Sequence, residues 1–245
     1  MTSHQPAQCC AVGVKHEGEA AGEVKLVGDV ETYFAYPKDK STTNAILILT
    51  DVLGHKFINV QLIADQFAAN GFFVVVPDLF QGDPVPVNGE NFDFGKWLPK
   101  HHTGLVDPVV SATLKHMRED LGCKWIGGVG YCFGAKYVAR FQKKGGGLDA
   151  GYMAHPSFVA AEEFAAIDGP LSIAAAETDE IFPASKRHES EAILNKMDIA
   201  WQINLFSDVV HGFSVRADLS NKRAKFAKEQ AFLQAVTWFN YHVTA

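Results

Sequence analysis

Cysteine is scarce in this chain of 245 residues: Cys9, Cys10, Cys123 and Cys132 are the only four, and none stands in a C-x-x-C pair. A disulfide framework and a structural zinc site therefore have little support, and we expect no metal. Long apolar runs are missing as well. None approaches the roughly 20 residues that cross a bilayer, and Met1 to Gln8 is polar, without a basic-then-apolar leader pattern. We expect a cytoplasmic protein with no membrane partner. Positive charge is also in deficit, with 22 Lys and Arg against 28 Asp and Glu for a net charge of −6. Basic residues gather no further than short pairs such as Lys143-Lys144, so nucleic acid is not an expected partner. Repeats, low-complexity tracts and linkers are absent, which leaves residues 1–245 as one domain.

Apolar side chains are plentiful, at 47% of the sequence, enough for one large core. After a loose opening, Val30–Tyr36 alternates as a strand should. Ala45–Thr50 and Phe72–Val76 are continuous apolar runs suited to strands buried on both faces. Between them Val60, Ile63, Ala64, Phe67 and Ala68 share one helical face, closed by Asn70-Gly71. Residues 81–103 are irregular and rich in Gly, Pro and aromatics, and we read them as a candidate lid insertion in which His101 and His102 are solvated. Asp107 followed by Pro108 predicts the start of a helix through Met117. Strands at Trp125–Val129, Ala150–Ala154, Pro170–Ala176 and Trp201–Leu205 then alternate with helices at Phe133–Lys143, Pro183–Lys196 and Lys222–Tyr241. Such alternation predicts an α/β protein: a mostly parallel central sheet, helices on both faces, and ligands at the carboxyl ends of the strands.

Gly130-Tyr131-Cys132-Phe133-Gly134 joins a predicted strand to a predicted helix. In that setting G-x-nucleophile-x-G is a sharp turn that exposes the central side chain above the sheet. The helix start behind it offers N–H groups and a positive dipole end, which favour a thiolate and an oxyanion. The plain alternative is an ordinary buried cysteine in a glycine-rich turn. What separates the two is chain order. The α/β-hydrolase fold requires nucleophile, then acid, then histidine, after successive strands. Asp179 follows the strand ending at Ala176, and His211 follows the last strand. Glu177, Glu180 and Asp208 compete for the acid's role. His155, at a strand end, and Tyr131 are candidates for lining the substrate pocket. Cys9, Cys10 and Cys123 have no partner in the sequence that would activate them.

These residues resemble the dienelactone hydrolase (carboxymethylenebutenolidase) family over nearly the whole chain. The match includes the Cys132 turn, Asp179, His211-Gly212-Phe213, Ile48–Gly54, Gly71-Phe72 and Val76–Leu79. Cys9-Cys10 with Gly13, His16–Gly18 and Gly22 is similar to the fungal branch. The resemblance implies an α/β-hydrolase without cofactor, monomeric or homodimeric, that opens a small-molecule ester or lactone. Cys132, Asp179 and His211 would form the triad and proceed through an acyl-enzyme. The backbone N–H groups of Phe133 and Val52 would form the oxyanion hole, and Asp51 would be an auxiliary carboxylate. In bacterial members that carboxylate is Glu, one methylene longer. Their arginine clamp after Pro-Asp-Leu is also replaced here by Phe80-Gln81-Gly82. Arg216 is the remaining candidate for holding a substrate carboxylate. A non-hydrolytic relative that binds a small molecule or protein is the alternative from another class.

Overall fold

The continuous apolar runs lie in the interior of an eight-stranded sheet in the computed structural model, which describes residues 1–243. The strands are β1 (Glu23–Val27), β2 (Val30–Ala35), β3 (Asn44–Leu49), β4 (Phe73–Pro77), β5 (Trp125–Tyr131), β6 (Ala150–Ala154), β7 (Leu171–Thr178) and β8 (Trp201–Val210). Their spatial order is β1-β2-β4-β3-β5-β6-β7-β8. β1 pairs antiparallel with β2, and β2 antiparallel with β4; every later pairing is parallel. The helices are α1 (Ile58–Ala69), α2 (Phe94–Trp97), α3 (Thr103–Glu119), α4 (Gly134–Phe141), α5 (Ala161–Ala165), α6 (Ala184–Leu194), α7 (Phe213–Arg216) and α8 (Lys222–His242). This is the expected α/β-hydrolase architecture.

Side chains alternate between the two faces of a strand, and β5 shows what covers each. A Cβ on Gly127 would meet the Phe239 ring of α8, whereas one on Gly130 would meet Ala135 and Val138 of α4. Helices therefore lie on both faces, which is why β3, β4, β5 and β6 can be apolar almost throughout. On the α8 face, Phe67 of α1 packs against Phe232 and Phe239.

Parallel registers align the carboxyl ends along one edge. Leu49 lies opposite Gly130, and Tyr131 opposite Ala154. Asp51, Cys132, His155, Asp179 and His211 all follow strands at that edge.

Four sequence-based expectations change. β1 was not anticipated: four of its five residues are exposed, so the edge strand lacks an apolar pattern. β8 continues past Leu205 to Val210, next to His211. α3 begins at Thr103 rather than after Asp107, because the ring of His102 accepts the N–H of Gly104 and caps it. Asp107 is instead an ion-pair partner of Arg140. His101 is buried, not solvated: it stacks on Trp97 with ring centroids 4.1 Å apart. Trp97 in turn packs on Phe80 and Phe133, which ties residues 81–103 to the turn behind Cys132.

Candidate active site

Cys132 has φ +50°, a left-handed backbone conformation that non-glycine residues seldom adopt. Such a residue costs on the order of 1–3 kcal/mol, and its neighbours hold it there. Its N–H donates to the Ala154 carbonyl at 3.1 Å, and its carbonyl accepts from the N–H of Ala135 at 3.1 Å and of Ser157 at 3.0 Å. The flanking glycines are required by close approach. A Cβ on Gly134 would lie 1.9 Å from the Leu49 carbonyl oxygen, and one on Gly130 would lie 2.6 Å from Ala135 Cα. α4 can approach β5 and β3 this closely only without those side chains.

The later strands deliver the partners. His211 Nε2 is 3.2 Å from Cys132 Sγ, and its Nδ1 is 2.9 Å from both carboxylate oxygens of Asp179. Asp179 is fixed in turn, since its Oδ1 accepts the N–H groups of Ile181 and Phe182 at 2.8 and 2.9 Å. The competing acids point elsewhere. Glu177 accepts the Asp208 N–H, Asp208 pairs with Arg223, and Glu180 is exposed. Burial opposes a positive charge on His211, but the Cys10 sulfur and the Asp179 carboxylate outweigh it and raise the imidazole to about 10. The Asp179 carboxylate thus favours the protonated imidazole that forms when His211 takes up a proton.

A second thiol reaches the same nitrogen. Cys10 Sγ lies 3.4 Å from His211 Nε2. The chain start was expected to be loose and Cys10 to lack a partner. Instead Thr2, Ser3, Cys10 and Ala11 are buried. Thr2 and Ser3 donate their N–H groups to the Val159 carbonyl, His4 donates to that of Ile181, and Asn88 donates to that of Ala11. Local pattern gives no hint of this, because the bonds run through backbone groups to distant loops. Burial dominates in pushing the Cys10 thiol up.

Arg216 and Asp51 find each other. Arg216 Nη1 donates to Asp51 Oδ2 at 2.5 Å, with both side chains buried. The same guanidinium donates to the carbonyls of Val12 at 2.7 Å and Cys9 at 3.3 Å. Asp51 Oδ1 accepts the Leu53 N–H at 3.0 Å. Burial pushes its carboxyl up, against the pull of Arg216. Val52 and Phe133 are wholly buried. Among the described residues, neither of their N–H groups donates a hydrogen bond. His155 is also fully buried and lies between Tyr131 and His211, its ring centroid 5.0 Å from that of His211. Burial, with the charges of His211 and Arg216, drives it well below its ordinary value, so its ring stays neutral. Its Nδ1 is 3.2 Å from Ser214 Oγ.

Comparison with known proteins bears on the family and the fold. Residues 30–243 match the model of the dienelactone hydrolase family. The chain is 56% identical over 244 residues to hydrolase pyvD of Aspergillus violaceofuscus, covering 99% of each. It is 50% identical to hydrolase tropI of Talaromyces stipitatus, again covering 99% of each. Among solved structures, that of a putative dienelactone hydrolase from Klebsiella pneumoniae superposes with a TM-score of 0.75 at 14% identity. That match covers 94% of this chain and 96% of the other, and at such identity it speaks for the fold alone. No helix among the described residues is long and apolar enough to cross a membrane.

Proposed function

The chain belongs to the dienelactone hydrolase family, and from that premise we propose that Cys132 is the nucleophile with which this cysteine hydrolase opens its ester or lactone. The observation that carries the reading is the chain of contacts Asp179–His211–Cys132 ending on a strained turn, 3.2 Å from nitrogen to sulfur.

Cys10 is the rival for that role and lacks the surroundings for it. It ends a short 3-10 turn, Gln8–Cys10, and the N–H of the next residue, Ala11, is spent on the Gln8 carbonyl at 3.0 Å. Behind Cys132, by contrast, α4 begins, so partial positive charge faces its sulfur.

In the first step the Cys132 thiolate attacks the acyl carbonyl while its proton resides on His211 Nε2. The N–H groups of Phe133 and Val52 receive the oxyanion, each worth roughly 2.7–4 kcal/mol if it behaves as such donors usually do. Collapse expels the alkoxide, which takes the proton from His211; in a lactone it stays tethered to the acyl group. His211 then removes a proton from water, which attacks the thioester and frees the acid. Asp179 holds the imidazole tautomer and orientation throughout. Asp51 plays no part in moving the proton, because Arg216 already engages it. The same pairing leaves Arg216 no free edge for a substrate carboxylate, so an ester or lactone with an uncharged acyl group fits better. Cys132 has no exposed surface, and the Cys9–Val12 segment shifts to admit substrate.

Brief exposure to p-nitrophenyl acetate, followed by intact mass and peptide mapping, tests this. One acetyl group on Cys132 is expected in the wild type, with turnover lost in Cys132→Ala and His211→Ala. An adduct on Cys10, with turnover surviving in Cys132→Ala, would overturn the assignment.

A further inference from the structure

Cys10 is the thiol at this site that acyl transfer leaves unused, yet it is buried against the same nitrogen as the nucleophile. Cys10 Sγ and Cys132 Sγ lie 3.4 and 3.2 Å from His211 Nε2, and all three atoms fall within 4.8 Å of one another. A tetrahedral zinc, with bonds of about 2.3 Å to sulfur and about 2.0–2.1 Å to nitrogen, keeps neighbouring ligands about 3.5–3.8 Å apart. The two nitrogen edges need slight widening, and the sulfur edge, within 4.8 Å, settles at about 3.8 Å on binding. On the far side of the ring, Asp179 holds Nδ1 with both oxygens at 2.9 Å. A carboxylate in that position fixes a metal-binding imidazole with its Nε2 lone pair presented. Two thiolates and one imidazole form a soft donor set that selects zinc over magnesium or calcium.

We propose that Cys10, Cys132 and His211 bind one zinc ion, leaving a fourth position for water, and that the bound ion switches acyl transfer off. Binding releases two protons to solvent and makes the nucleophilic sulfur and the basic nitrogen into ligands. It also pins the Cys9–Val12 segment across the site, since Cys10 belongs to that segment. The other ligand cluster among the described residues, Glu31, His55 and Asp78, is less free. Glu31 pairs with Lys56, and the Asp78 oxygens accept the N–H groups of Phe80 and Gly82. Inhibition by zinc rests on Cys132 being the nucleophile; metal binding does not.

Cobalt titration of the full chain, stripped by chelator and kept reduced with a phosphine, reads the site without reference to turnover. The wild type is expected to take up one equivalent, with the intense visible bands of tetrahedral cobalt and charge-transfer absorption from two thiolates. Cys10→Ala and Cys132→Ala should each lose about half of that charge transfer, in proportion to one thiolate of two. Asp179→Asn should keep the band shape and bind about 10–100-fold more weakly. In parallel, zinc is added to wild type and Cys10→Ala, each compared with its own metal-free rate. The wild type should stop at one equivalent, and Cys10→Ala should need at least about 100-fold more. An octahedral spectrum, charge transfer unchanged in Cys10→Ala, or equal zinc sensitivity of the two proteins would overturn the proposal. A two-thiolate spectrum in a protein whose Cys132 does not acylate would uphold the metal site and refute the nucleophile instead.

Discussion

Replacing Arg216 with Met removes one guanidinium that binds three partners: Asp51, the Val12 carbonyl and the Cys9 carbonyl. The methionine fills most of the volume of the arginine stem, so the main effect is electrostatic. Asp51 remains with its side chain 2% exposed and without its countercharge. Stranding one member of a buried ion pair costs about 3–5 kcal/mol. The cost depends on pH with a defined sign. Burial already raises the Asp51 carboxyl, and Arg216 is the main opposing charge, so its removal raises the carboxyl further. A carboxyl raised in the folded state is penalised wherever the unfolded chain would ionise it, above about pH 3.9. Below that, only the hydrogen bonds to Val12 and Cys9 are missing.

Urea denaturation of Arg216→Met at pH 3.5 and pH 7 should therefore show a loss that is larger at neutral pH. Arg216→Met/Asp51→Asn should recover most of it, with a coupling of about 2–3 kcal/mol between the two sites. Amide exchange should quicken in Cys10–Val14, because the guanidinium no longer anchors the carbonyls of Cys9 and Val12. A single substitution that costs under about 1 kcal/mol, with exchange unchanged, would refute the claim that this guanidinium ties the chain start to the site.

Asp179→Asn should keep the fold and lower kcat by about 10⁴-fold, as loss of the orienting acid does in related triads; a drop below tenfold in steady-state assays would remove Asp179 from the triad. Gly134→Ala drives a Cβ to 1.9 Å from the Leu49 carbonyl and should cost at least about 1–3 kcal/mol by urea denaturation. Lys228 is buried, which pulls its amine from 10.5 down to about 8; at about 1.36 kcal/mol per pK unit this is a penalty on the order of 3 kcal/mol at neutral pH. Because the unfolded chain holds more protons between pH 8 and 10.5, wild-type stability should rise across that window, and the gain from Lys228→Met should be full at pH 7 and vanish by pH 10.5.

The strand-end placement of the candidate triad was readable because it rests on local signals. A buried strand must be apolar, a sharp strand-to-helix turn must have glycine where backbones touch, and parallel strands put whatever follows them on one edge. Cys132, Asp179 and His211 each follow such a strand. What escaped the sequence depends on single long-range contacts. Cys10 reaches His211 across a separation of 201 residues, and nothing in Gln8–Cys10 marks it. β1 and the end of β8 were missed for another reason: edge strands face water, so their side chains carry no burial pattern. His101 looked solvated because a histidine pair in an irregular stretch usually is, and contacts with Trp97 and Phe80 reverse that.

Asp51 and Arg216 show how two separate expectations can cancel. Each was assigned by resemblance, one to assist the thiol and the other to grip a substrate carboxylate. Both roles require a charge left open. In the structure the two charges satisfy each other at 2.5 Å, and the remaining guanidinium nitrogens bind backbone carbonyls of Cys9 and Val12. An arginine held this way belongs to the cover over the site. Gly13 fits the same account, because a Cβ there would lie 2.5 Å from Arg216 Cγ, so the chain start can cross the arginine stem only as glycine. Cys10 is carried on that same crossing segment. Its position beside His211 therefore goes with the arginine that holds the segment in, through the carbonyls of Cys9 and Val12.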